Sequence, residues 1–177
     1  MEFKVTAEPI DELTVDTIVL SAFSEERPLK GSSGLIDWRT CGRLSRMIMD
    51  RDFGAERFET LLFPSEGRLR PVKVLIIGLG SRADYDFEAY SEVMAYTIQS
   101  VANMHVFDFA IPLPGVGLAG LDYSLATKRL IEEVLFKYRD HKERLDDLKV
   151  TIVAGSHRLR EIGAVLNKHA RSQRDGS

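Results

Sequence analysis

A chain of 177 residues that is 44% hydrophobic and 29% charged, with 13 Gly and 6 Pro, has the composition of one globular domain. A chain of that length buries roughly 70% of the surface it exposes when unfolded, so disordered, collagenous and coiled-coil classes fit poorly. Its net charge of −3 and pI near 5.8 deny it the cationic field that dominates phosphate-backbone affinity, so nucleic acid is not the expected partner.

The chain opens with two strands, Glu2 to Ala7 and Thr17 to Phe23, set off by Pro9, Asp11 and Asp16. The first alternates in polarity; the second reads as buried on both faces. Ser24 to Gly34 is polar, glycine-bearing and without hydrophobic period, which predicts a long loop and suggests a role for it. Leu35, Trp38, Leu44, Met47 and Ile48 recur at near-helical spacing, predicting a helix over Leu35 to Asp50 with Gly42 inside it. Phe58 to Phe63, closed by Pro64, forms a hairpin with the apolar strand Val72 to Leu79. Phe87, Tyr90, Val93, Met94, Ile98 and Val101 then mark one helical face, with Asp84 or Asp86 as its cap. A strand over Val106 to Leu113, a glycine loop, a helix from Tyr123 to Tyr138, a charged connector, the strand Val150 to Ala154 and a helix from Ser156 to Lys168 complete the order. Strands alternating with helices predict a three-layer α/β/α sandwich on a mixed, mostly parallel sheet. Residues 1–167 form the single domain, and 168–177, with almost no apolar anchor, form a flexible tail.

Two glycine segments carry the candidate chemistry. Gly115-Val116-Gly117-Leu-Ala-Gly120 is a literal G-x-G-x-x-G between strand and helix, where backbone amides can approach an anion. As a dinucleotide fingerprint it fails, because the next strand ends Val-Ala-Gly-Ser with no acid for a ribose, and only one strand follows. The segment fits two readings: an anion-binding loop, or a tight strand-to-helix turn whose helix is capped from within by Asp122 or Ser124. Gly31-Ser32-Ser33-Gly34 offers similar chemistry ahead of a helix, and Gly78-Leu79-Gly80 reads as a turn.

Other constellations are weaker. His105, His141, His157 and His169 lack paired metal spacing, one cysteine builds no thiolate site, and no nucleophile elbow appears, so no metal, cofactor or catalytic residue is assigned. The acid pairs Glu132-Glu133 and Asp146-Asp147 read as solvated faces. Cys41 reads as a buried small hydrophobe beside Trp38 and Leu44. It has no intramolecular disulfide partner, no secretory signal opens the chain, and no apolar run approaches the ~20 residues of a bilayer span, so a reducing cytoplasm is the expected address.

Asp16-Thr-Ile-Val-Leu-Ser-Ala-Phe23 with Leu29-Lys-Gly-Ser-Ser-Gly-Leu-Ile-Asp37, and Phe109-Ala-Ile-Pro-Leu-Pro-Gly-Val-Gly-Leu-Ala-Gly-Leu-Asp122, resemble the two ligand loops of macro domains. Val74-Leu-Ile-Ile-Gly-Leu-Gly80, the helix after it, and Lys137-Tyr-Arg through Leu148-Lys-Val-Thr-Ile152 resemble, in order and spacing, the macro-like N-terminal domain of leucyl aminopeptidases. The resemblance covers roughly residues 1–155. It implies a macro-like fold, and loops (Gly31 to Gly34 and Gly115, Val116, Gly117, Gly120) that in macro domains embrace the diphosphate of ADP-ribose. In the aminopeptidases the two metal ions are held in a separate C-terminal domain, whose Asn-Thr-Asp-Ala-Glu-Gly-Arg segment is absent here, so no peptidase activity is expected. Macro domains carry asparagines where this sequence reads Leu20-Ser-Ala-Phe23, and phenylalanine cannot hydrogen-bond a ribose.

The leading expectation is a non-catalytic, stand-alone binding and assembly module. It would self-associate or dock onto an aminopeptidase-like protein, as the resemblance to a domain at the periphery of a hexamer implies. The alternative is a binder of ADP-ribose or another phosphate-bearing nucleotide through the paired glycine loops. No membrane association is expected.

Overall fold

Side chains along the central strands alternate between two apolar cores, and that alternation sets the layers. In the computed structural model, which describes residues 1–175, six strands form one sheet: β1 (Glu2–Thr6), β2 (Thr17–Ala22), β3 (Thr60–Pro64), β4 (Lys73–Gly78), β5 (Asp108–Pro112) and β6 (Lys149–Val153). Their spatial order is β1-β6-β5-β2-β4-β3. Every neighbouring pair is parallel except β3 with β4, so the sheet is mixed and mostly parallel, as the alternation of elements predicts. The helices are α1 (Gly31–Arg39), α2 (Arg43–Met49), α3 (Phe87–Asn103), the single turn α4 (Val116–Ala119), α5 (Tyr123–Tyr138) and α6 (Leu159–Asp175).

Val19, Leu75, Ile77, Phe109 and Ile111 point to one face and bury against Tyr90, Met94 and Ile98 of α3, Leu130 and Val134 of α5, and Ile162 of α6. Ile18, Leu20, Val74, Ile76 and Ala110, the intervening residues, point to the other and meet Ile36 of α1 and Leu44 of α2. Each fully buried side chain of this size contributes about 1.5–3 kcal/mol. Two-sided burial is why β2 and β4 read as continuous apolar runs. The sandwich expected from the sequence is therefore present, with α1 and α2 on one side and α3, α5 and α6 on the other.

Local chemistry accounts for several element ends. Asp86 begins α3 by accepting from the Ala89 amide at 2.9 Å, and Asp122 begins α5 by accepting from Leu125 at 2.7 Å, each satisfying an otherwise orphaned helix amide. Asp122, and not Ser124, is thus the internal cap.

The structure also corrects the sequence reading. The predicted loop Ser24 to Gly34 ends early, because Gly31 already opens α1. The single helix predicted over Leu35 to Asp50 is two, since Cys41 and Gly42 both take left-handed backbone, φ 57° and 76°, which no α-helix continues through. Cys41 is exposed, not a buried hydrophobe; the same backbone reversal turns it outward. Glu133 is not on a solvated face: it is buried and paired with Arg129 at 2.5 Å. The last helix, predicted to stop at Lys168, runs to Asp175 and so enters the stretch read as tail, of which residues 176–177 lie outside the described residues.

Candidate functional site

β2 and β5 are adjacent, but the chain leaves them in opposite directions. From β2 it passes through α1 on one face toward β3 and β4; from β5 it passes through α5 on the other face toward β6. A crevice beyond the carboxyl ends of two such strands is where open α/β sheets place ligands. Here the strands also splay: β2 pairs with β5 only at Thr17 with Phe109 and Ile18 with Ala110, whereas it pairs with β4 from Thr17 to Ala22. Where β5 has drawn away, the Ser21 carbonyl accepts instead from the Ser33 hydroxyl, at 2.7 Å.

The crevice is an open cleft of about 240 Å³ lined by both glycine segments: Gly31, Ser32 and Ser33 from one, Gly115, Val116 and Gly117 from the other. Gly34 and Gly120 do not line it. The Gly34 amide donates to Lys30 O at 3.0 Å, and a Cβ at Gly34 would meet Leu29 O at 2.5 Å, so this glycine serves the close entry of the chain into α1. Gly120 ends α4. Ser33 is buried with its hydroxyl engaged on Ser21, so only its amide faces the question of a ligand. Val116 is fully buried, and its amide donates to Leu113 O at 3.3 Å, which makes it packing more than recognition.

Among the described residues, the amides of Gly31, Ser32 and Ser33 have no acceptor, and Lys30 caps α1 without a side-chain bond. The amides of Gly115, Gly117 and Leu118 are likewise without acceptors. The cleft therefore presents donors from both walls.

Residues the sequence analysis did not assign complete the cleft. Phe23, raised there as a side chain unable to bond a ribose, is a wall and not a plug: it is 1% exposed and stands edge-to-face on Tyr85, ring centroids 5.0 Å apart. Tyr85 in turn donates to Pro114 O at 3.0 Å, and burial pushes its hydroxyl well above the ordinary tyrosine range, so it stays a donor that anchors the second loop. A Cβ at Gly115 would lie 2.7 Å from Tyr85 and 2.8 Å from Phe23, which explains a glycine with φ +69° there. Lys30 and Glu26 supply the charge. Glu26 accepts from the Lys30 amide at 2.7 Å and from Phe23 N at 3.4 Å, closing the loop on itself. No sequence spacing singles out Glu26; only the folded loop brings it to the cleft.

A second depression, about 420 Å³, shares Gly31, Ser32, Pro112 and Leu113 with the first and continues past Pro9, Leu35, Tyr123 and Val153. Among the described residues, no group of three or more His, Cys, Asp or Glu is placed to hold a metal ion.

Residues 18–143 match the model of the cytosol aminopeptidase family, N-terminal domain. The chain belongs to that family. The leucyl aminopeptidase resemblance, carried by Val74 to Gly80, the helix after it and Lys137 through Ile152, therefore holds. A cytosol aminopeptidase of Pseudomonas aeruginosa is 27% identical over 161 residues, 87% of this chain and 32% of that protein. A probable cytosol aminopeptidase of Sulfurihydrogenibium is 25% identical over 63% of this chain and 22% of its own length. The chain thus spans about a third or less of these relatives. Among solved structures, the macrodomain of Trypanosoma brucei superposes with a TM-score of 0.73 at 15% identity, covering 95% of this chain and 66% of that one. The macrodomain of Mycobacterium tuberculosis DarG gives 0.66 at 13% identity, covering 88% and 99%. This cytosol aminopeptidase N-terminal domain has the macrodomain fold. No helix among its described residues is long and apolar enough to cross a membrane.

Proposed function

We propose that this domain binds a phosphate-bearing small molecule of the nucleoside diphosphate class in the cleft between β2 and β5, and that it acts by binding and not by hydrolysis. The observation that carries the reading is the set of acceptor-free amides, Gly31, Ser32 and Ser33 on one wall and Gly115, Gly117 and Leu118 on the other, around one open cleft. Amides at a loop-to-helix junction suit a diphosphate. The adjoining depression, with Pro9, Leu35 and Tyr123, suits a flat ring. Together the two fall within the size range of small-molecule sites. Structural relatives of the same fold include a Trypanosoma brucei macrodomain in complex with ADP-ribose and an Oceanobacillus iheyensis macrodomain with ADP. Phe23 and Leu79 in the cleft lining offer no side-chain hydrogen bond to a second ribose, which favours ADP over ADP-ribose. As a relative of cytosol aminopeptidases with a free Cys41, we place the protein in the cytoplasm.

Calorimetry with ADP, ADP-ribose and pyrophosphate tests this. A ligand present at about 100 times its Kd stabilises by roughly 2.7 kcal/mol, readily seen as a rise in Tm. No heat and no Tm shift with any of the three overturns the reading.

A second reading, assembly with a further copy or with an aminopeptidase catalytic region, is favoured by one observation: Trp38 and Met49, on α1 and α2, are 70% and 71% exposed. Large apolar side chains left in solvent mark association surfaces when they form a patch. Sedimentation of the wild type and of Trp38→Ser checks it; a monomer in both removes it.

A further inference from the structure

A cluster of positive charge lies at the other end of the sheet, where β3 turns into β4. Arg43 and Arg46 share one side of α2, three residues apart. The turn after Pro64 brings Glu66 and Arg68 against them. With Thr40 and Cys41 they line a depression of about 390 Å³. Arg43 is held in place: its guanidinium stacks 4.8 Å over the Phe63 ring, donates to Pro64 O at 3.3 Å and pairs with Glu66 at 3.0 Å. Arg68 donates to Cys41 Sγ at 3.1 Å. Among the described residues, Arg43 is paired with a carboxylate and neither Arg46 nor Arg68 is, so two of the three guanidinium groups gathered here carry charge that no acid offsets. Thr40 is not a competing donor, since its hydroxyl is engaged on Ile36 O at 2.7 Å.

Three guanidinium groups against one carboxylate, in a chain of net charge −3, is a local inversion of the protein's field. Guanidinium forks match the paired oxygens of a phosphate in shape as well as charge. We propose that this depression is a second anion site, which takes the phosphate group of a small phosphorylated compound and is independent of the cleft between β2 and β5. Arg46, and Arg68 whose one bond is to Cys41 Sγ, supply the forks that no carboxylate holds; Arg43, already fixed on Phe63 and Glu66, sets the rim. The patch is too short, and the chain too acidic, to follow a nucleic-acid backbone.

Because Cys41 is the one cysteine of the chain and sits in the depression, it reports occupancy directly. The test is titration calorimetry with inorganic phosphate and with O-phosphoserine, on the wild type, Arg46→Gln, Arg68→Gln and the distant control Arg160→Gln, paired with the rate of Cys41 alkylation by iodoacetamide. Arg46, Arg68 and Arg160 are exposed, so the variants fold. The expected result is saturable binding that weakens about tenfold or more in Arg46→Gln and Arg68→Gln, the loss of one charge-assisted bond, is unchanged in Arg160→Gln, and slows alkylation at saturation. The inference is overturned by equal affinity in all four proteins, by alkylation indifferent to phosphate, by no saturable heat at millimolar concentrations, or by affinity for an oligonucleotide in place of the small phosphates. Phosphate bound only in the other cleft leaves Cys41 unprotected and both arginine variants unaffected, so the two sites are told apart.

Discussion

The Ser33 hydroxyl donates to the Ser21 carbonyl at 2.7 Å, and this one bond fastens the first turn of α1 to the splayed end of β2. Ser33 is 4% exposed, but the Ser21 carbonyl it holds is half-buried and lines the cleft, where water can replace a lost hydroxyl. Ser33→Ala should cost about 0.5–1.5 kcal/mol of unfolding free energy, the net worth of one hydrogen bond. Urea denaturation measures it. If the amides that follow Lys30 form the ligand wall, ADP affinity falls in the same variant, because the turn that presents them is no longer held. A variant as stable as the wild type shows that α1 is fixed by packing alone.

The glycines of the second loop divide into structural and permissive. At Gly115 a methyl would run into Tyr85 and Phe23 at under 3 Å, and the backbone is left-handed, φ +69°. At Gly120 the backbone is similar, φ +70°, but nothing lies within 4 Å. Gly120→Ala should therefore cost only the left-handed penalty, about 1–2 kcal/mol. Gly115→Ala adds overpacking of a tightly filled wall, typically about 1–3 kcal/mol more. Equal losses in denaturation midpoint at the two positions would falsify this division.

The parts of the fold that were legible in the sequence are those where one local interaction dominates. β2 and β4 read directly because both faces are buried, and α3 and α5 read because an apolar stripe follows an aspartate cap at Asp86 or Asp122. The start of α1 was not legible: Gly-Ser-Ser-Gly is poor helical sequence, and its first turn exists through tertiary contacts, Ser33 on Ser21 and Gly34 against Leu29. The break at Cys41 and Gly42 was hidden for the opposite reason, since the apolar spacing continues across it while the backbone reverses. Both glycine segments were visible as candidates, but Glu26 and Lys30 were not, because a charged residue in a polar loop carries no signal of which way the loop folds.

Asp108 gives the domain a measurable pH dependence. Burial pushes its carboxyl above the ordinary 3.8, Lys149 and Lys4 oppose the shift, and Asp16 and Glu2 reinforce it. The folded state therefore holds this proton more tightly than the unfolded chain. Stability from this group is fullest below the ordinary value, falls as pH rises through the raised native value, and leaves the ionised Asp108 as a net cost at neutral pH. Asp108→Asn should stabilise the protein at pH 7 and have little effect near pH 3. The residue is only partly buried, so after solvent screening the gain stays under about 1 kcal/mol. Destabilisation at pH 7 would show that the carboxylate makes a favourable interaction that outweighs its desolvation.

Glu26 bears most directly on what the cleft accepts. Its carboxylate lines the cleft and holds the amides of Phe23 and Lys30, so it organises the loop while placing a negative charge beside the donors meant for an anion. A charge at contact range in a half-buried site opposes a bound phosphate by on the order of 1 kcal/mol once salt screening is included. Glu26→Gln keeps an amide-accepting oxygen for Lys30 and removes the charge, so ADP should bind several-fold more tightly at a small cost in Tm. The gain should shrink as salt is raised, because the repulsion it relieves is itself screened. Unchanged affinity at low salt would place the ligand's phosphates away from Lys30 and Gly31, toward Gly115 and the depression beyond Pro112. Weaker binding would mean that the loop conformation held by Glu26 matters more to the site than its charge.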